Sequence, residues 1–235
     1  MITGIVVALP EELSTLTAKK IDKGCVGQLN DSILVIYSGA GRENARFAAG
    51  LLVAQGANQL ISWGCAAALD ATLRPGDLVL ANRCVDADDV VYDPNIDWIN
   101  YVQTMLSRQL PVCTGKLVES RQIVSSSFDK AKIAQTTGAI VLDMESASVA
   151  NVAHKHGLPF LSVRAIVDPA NMDLPKAVGH ALNDQGEIVI GKLLSFLLLH
   201  PGELPSLIKL GLHFQAAKKT LKLVAKELSF VTTLP

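Results

Sequence analysis

Neither sign of charge dominates this chain: Lys and Arg together number 21, Asp and Glu 22, and the formal net charge is -1. That balance excludes a global electrostatic footprint for nucleic acid, so a small molecule or another protein is the expected partner. Cysteine is sparse as well. Cys25, Cys65, Cys84 and Cys113 are widely spaced, form no C-x-x-C pair and accompany no secretory signal, so they read as reduced thiols of a cytosolic protein. The start, "MITGIVVALPEEL", lacks the basic segment and cleavage site of a signal peptide and reads as the first core strand. Long apolar runs are missing too. The most apolar stretch, "IVIGKLLSFLLLH" at 188–200, is interrupted by Gly191 and Lys192 and falls short of the roughly 20 residues that span a bilayer, so no transmembrane helix is expected.

Several chemical signatures are also absent. His154 and His156 stand two apart within one helical segment and point to different faces, and no H-x-x-x-H or Cys/His cluster occurs, so no metal site is expected. There is no G-x-S-x-G serine elbow. The "GAG" at 39–41 lacks the spacing of a dinucleotide fingerprint or a P-loop.

What is present is 235 residues, 49% of them hydrophobic, enough for one large domain with a substantial core. Short β-branched runs alternate with longer segments of helical period, which predicts an α/β domain around a central mixed, largely parallel sheet. Strands are expected near 3–8, 32–38, 59–64, 77–81, 121–125, 139–143 and 159–167. Helices are expected over "ENARFAAGLLVAQGA", with Gly56 placed to stop it, and over "ESASVANVAHKHG", with Gly157 in that role. Segment 82–100 is irregular, acidic and carries a proline, and reads as a long loop near a site. Residues 1–200 are expected to form the main domain and 201–235 a basic amphipathic helical tail, packed on it or extending from it. In that tail Leu204, Leu207, Ile208, Leu212, Leu221, Val224, Ala225 and Leu228 recur at helical spacing, and Lys209, Lys218, Lys219, Lys222 and Lys226 fill the other face. Two readings stand: a terminal helix with a solvated Lys face, or a surface that meets anionic lipid headgroups.

Four stretches set small or acidic residues at expected strand ends, where open α/β sheets bind ligands. In "ALPEEL", Pro10 suits a first helical turn, and Glu11 and Glu12 either cap that helix or do chemistry. In "YSGAGRENA", backbone amides cradle an anion beside Arg42 or Arg46, or the glycines simply turn the chain. From Gly64 to Ala68, small residues admit a ligand close to the backbone or serve packing; Cys65 has no visible base to make it a nucleophile. Asp168 follows an apolar strand and precedes Pro169, a partly desolvated position that favours holding a proton, whereas Glu145 falls in a first helical turn, where the dipole favours its ionised form. The alternative is a turn aspartate and a capping glutamate. Asp143 reads as structural.

"GIVVALPEEL", "SGAGRENA", "WGCAAALDATLRPGDLVLA", "LDMESASVANVAHKHGLPF" and "VRAIVDPAN" lie in the order and spacing of the nucleoside phosphorylase superfamily, and over residues 2–175 the chain most resembles its methylthioadenosine/S-adenosylhomocysteine nucleosidases. The resemblance implies a three-layer phosphorylase-like fold, an oligomer, and cleavage of a purine N-glycosidic bond without a cofactor, phosphate being a possible co-substrate. It makes Asp168 the general acid toward N7 of the base and Glu12 the group that orients an attacking water. It makes Glu145 the acceptor of the ribose 2'-hydroxyl and Met144 the residue beneath the sugar. Cys65 and Ala66 fall on the substrate-binding loop, and Arg42 and Arg164 are candidates to neutralise phosphate. The chain departs from the family's S-A-G-G at Cys65 to Ala68, and from its S-G-D-x-F at "SSSFDK", 125–130.

The C-terminal third resembles hopanoid-associated phosphorylases, which release adenine from adenosylhopane. That implies a lipid-linked adenosyl nucleoside and a tail that touches the inner face of the membrane. Methylthioadenosine or S-adenosylhomocysteine is the other substrate expectation, and a nucleoside-binding protein without activity the expectation from another class.

Overall fold

The computed structural model describes residues 1–181 and 190–234. Residues 188 and 189 of the apolar stretch therefore lie outside the described residues. The first strand, β1 (Thr3–Val7), is buried on both faces: Ile5 and Val7 enter one core, Val6 the other. That double burial is why the run reads as continuously apolar instead of alternating. The remaining strands are β2 (Val26–Asn30), β3 (Ile33–Tyr37), β4 (Gln59–Ala68), β5 (Leu78–Val85), β6 (Val91–Tyr92), β7 (Val112–Glu119), β8 (Val141–Asp143) and β9 (Phe160–Asp168).

One core lies under α2 (Arg42–Ala54) and α5 (Ser146–Lys155). Ala45, Ala48, Ala49 and Leu52 recur there at helical spacing and are buried. The opposite core is covered by α1 (Pro10–Leu16), α3 (Ile96–Leu106) and α8 (Leu204–Lys226). This is the helix–sheet–helix sandwich the sequence implied. The sheet is more mixed than expected. Five strand pairs are parallel and four antiparallel among the described residues. From β4 the pairing runs through β8, β7, β5 and β9 and returns to β4, so part of the sheet closes on itself. Closure removes open edges from that part and gathers the ends of its strands around one mouth.

Two expectations need correction, and one strand was not foreseen. No strand forms at 121–125; the strand is β7, whose polar residues and Gly115 hide its pattern. Residues 82–100 are not one loop, because β5 continues to Val85, β6 pairs back on it, and α3 starts at Ile96 behind an Asn95 cap that accepts from the Trp98 N–H at 2.8 Å. The edge strand β2, polar and half-exposed, gave no signal at all.

The tail is one long helix, α8, followed by the short α9 (Leu228–Val231). Its second half is built into the core: Ala217, Leu221, Val224 and Val231 are fully buried, and each of the three larger side chains contributes about 1.5–3 kcal/mol by leaving water. The first half is different. Leu204, Ile208 and Leu212 face outward, as do Leu198 and Leu199 at the end of α7 (Ile190–Leu199). α7 meets α6 (Lys176–Ala181) through the Phe196 ring, which stacks on His180 at 4.4 Å and on His200 at 4.2 Å. Among the described residues no single helix is long and apolar enough to cross a membrane; the α7–α8 pair has the length and composition together but is bent by 110°.

Candidate active site

The strand ends gather acids and a buried guanidinium at the mouth of the closed strands. Pro10 starts α1 at the end of β1, and this turns Glu12 inward while Glu11 stays exposed. Glu12 Oε2 accepts from the N–H groups of Ala8 at 3.1 Å and Leu9 at 3.0 Å, and Oε1 from the Cys65 N–H at 2.7 Å. Burial pushes Glu12 above the usual carboxylate range, and Arg164 and the three N–H donors pull it only part of the way back. At Gly64, a Cβ would overlap both Glu12 Oε1 and Arg164 Nη1. Only glycine leaves room for this carboxylate and this guanidinium side by side over β4.

Arg164 is almost wholly buried. Its Nε meets Asp143 Oδ2 at 2.7 Å and donates to Ser146 Oγ at 3.1 Å, and Nη2 donates to the Ser62 and Ser146 hydroxyls. Burial opposes the charge, but Asp143, Glu12 and Glu145 outweigh it and hold the guanidinium charged. Arg42 is equally occupied, lying 3.1 Å from Asp88, 3.8 Å from Glu43 and 3.8 Å from Glu119. Carboxylates thus stand beside both arginines.

Glu145 is the residue that caps α5 and not a member of its first turn, and its side chain makes no cap bond to that helix. It reaches across to α2, where the Gly41 N–H donates to Oε1 at 2.7 Å. Gly41 has φ of 97°, a left-handed conformation that aims its N–H at the acid. The expected effect of the helix start is overridden: burial first and Asp143 second push Glu145 up to about 8, so it holds its proton near neutrality. Met144, half-buried, donates its N–H to Glu145 Oε2 at 3.3 Å. Asp143 anchors the turn, accepting from the N–H groups of Glu145 at 3.3 Å and Ser146 at 3.1 Å. Cys65 is half-buried and Ala66 buried on β4. Burial and Glu12 push the Cys65 thiol well up, which leaves it unreactive.

Asp168 ends β9. The β4–β9 register slips between Ala66 and Ala67, so Asp168 and not Val167 stands opposite Ala67; such a bulge re-aims the side chain that follows it. Oδ1 accepts from the Lys130 ammonium at 2.8 Å, and Oδ2 accepts no hydrogen bond among the described residues. Burial pushes the acid above its ordinary value, and Lys130 pulls against it.

Lys130 and Glu119 were not singled out from sequence. Glu119 closes β7 and receives the Ser148 N–H at 2.7 Å and hydroxyl at 3.1 Å; burial and Asp143 push it up to about 7. Its signal, an acid ending the apolar run "LVE", is the one that marked Asp143 and Asp168, but the strand had been placed too late. Lys130 looks like any surface lysine of a short helix. Among the described residues no cluster of His, Cys, Asp and Glu has the form of a metal site.

A partly closed mixed sheet between two helical layers, with acids at its strand ends, defines a three-layer α/β fold, and comparison places it. Residues 3–195 match the Phosphorylase superfamily, and the chain belongs to that family. It is an enzyme that cleaves N-glycosidic bonds. It is 28% identical over 197 residues to the 5'-methylthioadenosine/S-adenosylhomocysteine nucleosidase of Staphylococcus epidermidis, covering 72% of this chain and 86% of the relative. The same enzyme of Staphylococcus haemolyticus is 25% identical over 219 residues, covering 79% and 96%. Among solved structures, a mutant futalosine hydrolase of Helicobacter pylori superposes with a TM-score of 0.72 at 18% identity, covering 97% of both chains. The Helicobacter pylori 5'-methylthioadenosine/S-adenosylhomocysteine nucleosidase, complexed with a pyrrolopyrimidine-bearing pyrrolidinol, gives 0.71 at 20% identity, covering 97% and 96%.

Proposed function

We propose that this enzyme releases adenine from a 5'-substituted adenosine, with water as the nucleophile. The observation that carries this reading is the convergence of Glu12 and Arg164 over Gly64, a proton acceptor held beside a cation that is itself already neutralised. In the step, the C1'–N9 bond breaks with its electron pair passing to the purine, and Asp168 delivers a proton to N7. The water oxygen bonds to C1' and its proton passes to Glu12. Positive charge grows on the sugar and negative charge on the base, so a donor and an acceptor are needed on opposite sides. Glu145 accepts the ribose 2'-hydroxyl above Met144; the cationic sugar draws down the proton affinity that burial raised.

Methylthioadenosine and S-adenosylhomocysteine are the substrates this reading favours, because the Staphylococcus relatives carry those names. Adenine release is then independent of added phosphate, and Asp168→Asn lowers kcat by about 10²–10⁴-fold. Strict dependence on phosphate, or an unimpaired Asp168→Asn enzyme, would overturn it. The exposed apolar elbow of Leu198, Leu199, Leu204, Ile208 and Leu212, flanked by Lys209, favours a second reading in which a lipid-linked adenosyl group is drawn from a membrane surface. Turnover of such a nucleoside presented in anionic vesicles would then drop at least tenfold in the Leu199→Glu, Ile208→Glu, Leu212→Glu triple variant, with soluble substrates unaffected. Equal turnover by the two enzymes removes this reading.

A further inference from the structure

Lys130 stands in the first turn of α4 (Ser127–Thr137), in the stretch "SSSFDK" that departs from the family pattern. Its side chain is fully buried, an environment that an ammonium tolerates only with complete partnering. The partnering is complete: Nζ donates to Asp168 Oδ1 at 2.8 Å, to the Pro169 carbonyl at 2.8 Å and to the Met172 carbonyl at 2.7 Å. Three acceptors consume all three protons of an ammonium, so Lys130 has none to give a substrate. It also joins two things that would otherwise move separately, the acid at the end of β9 and the turn that the Met172 N–H closes on the Pro169 carbonyl at 3.2 Å.

We propose that Lys130 is the positioning residue of the acid: it pins Asp168 Oδ1 and the 169–172 turn together, so that Oδ2 is presented to the purine and the carboxylate left after proton transfer rests against a fixed positive charge. The proposal rests on the reading of Asp168 as proton donor. The charged groups that face Asp168 are Lys130 from α4 and Asp173 from the following turn. Asp173 accepts the Ser127 N–H at 2.7 Å, and that bond holds it below the ordinary carboxylate range, so it stays ionised while Asp168 titrates.

The test is the pH profile of kcat and KM for the full-length enzyme, Lys130→Met, Lys130→Arg, Asp168→Asn and the Lys130→Met, Asp168→Asn double variant. Lys130→Met should lower kcat by about 10²-fold through lost alignment while KM changes less. The alkaline limb of kcat should move upward by about 1–3 pH units, because a carboxyl without its cation keeps its proton longer. Lys130→Arg should keep the limb in place and recover part of the rate, and Lys130→Met should cost nothing further once Asp168 is Asn. A wild-type rate and limb in Lys130→Met, or an undiminished loss in the double variant, would overturn the proposal. If Asp168→Asn alone is unimpaired, the acid assignment fails instead. Should Lys130→Met not fold, Lys130→Arg decides alone: a lowered rate with an unmoved limb supports the role, and a moved limb or a wild-type rate refutes it.

Discussion

The two sides of the site solve the same electrostatic problem differently. On the side of Asp168 one carboxylate faces one ammonium at 2.8 Å, and both are buried. On the other side Glu12, Asp143 and Glu145 all draw on Arg164, and only Asp143 has it at 2.7 Å. The matched pair lets burial raise Asp168 only against a counter-pull, whereas the crowded side leaves Glu145 with its proton until about pH 8. On the proposed reading, the matched pair poises Asp168 to give up its proton, and the crowded acids form a pocket that takes the positive charge of an oxocarbenium-like sugar.

The comparison can be broken from the crowded side first. Glu12→Gln removes the proton acceptor and sets an amide NH2 against one of the backbone N–H groups that the carboxylate accepts, so kcat should fall by about 10²–10⁴-fold and thermal stability should fall as well. A folded variant with wild-type turnover would contradict the assignment. Next in size is Asp143→Ala, which leaves Arg164 buried beside acids that do not reach it. Chemical denaturation should register a loss of about 3–5 kcal/mol, and a loss under 1 kcal/mol would mean that the serines suffice. The smallest effect is on pH. Glu119 at about 7 and Glu145 at about 8 bind protons more tightly folded than unfolded, where the ordinary value is 4.5. Their contribution is therefore complete below about pH 4.5, declines as pH rises, and is gone above about 8. Melting temperature should fall across that window and fall less steeply in Glu119→Gln; a rise would reverse the sign argued here.

Residues whose placement follows from chain position were legible beforehand. Glu12, Glu145 and Asp168 each end an apolar run, and strand ends are where this class of sheet binds. β1, β3, β8 and β9 also stood out, because double burial makes them plainly apolar. Residues whose role depends on a distant partner were not legible. The partner of Arg164 was hidden because nothing in "VRAIVD" reveals that Asp143, 21 positions earlier in the sequence, meets it at 2.7 Å. Lys130 was invisible for the same reason: its environment is supplied by a loop some 40 residues away. Glu119 was missed only because its strand was misplaced.

The docking of α8 and α9 on the sheet carries a consequence for how the protein is made. The Gln59 side chain donates to the Thr232 carbonyl at 2.6 Å and the Trp98 indole to the Val231 carbonyl at 2.9 Å, across 173 and 133 residues. Contacts this distant in sequence are slow to form, since loop closure precedes any gain from them. During synthesis the sheet face that receives α8 stays apolar and uncovered until residues 204–231 have left the ribosome. A fragment cut at residue 200 would stay in that waiting state, exposed to aggregation, and would not behave as a smaller working enzyme.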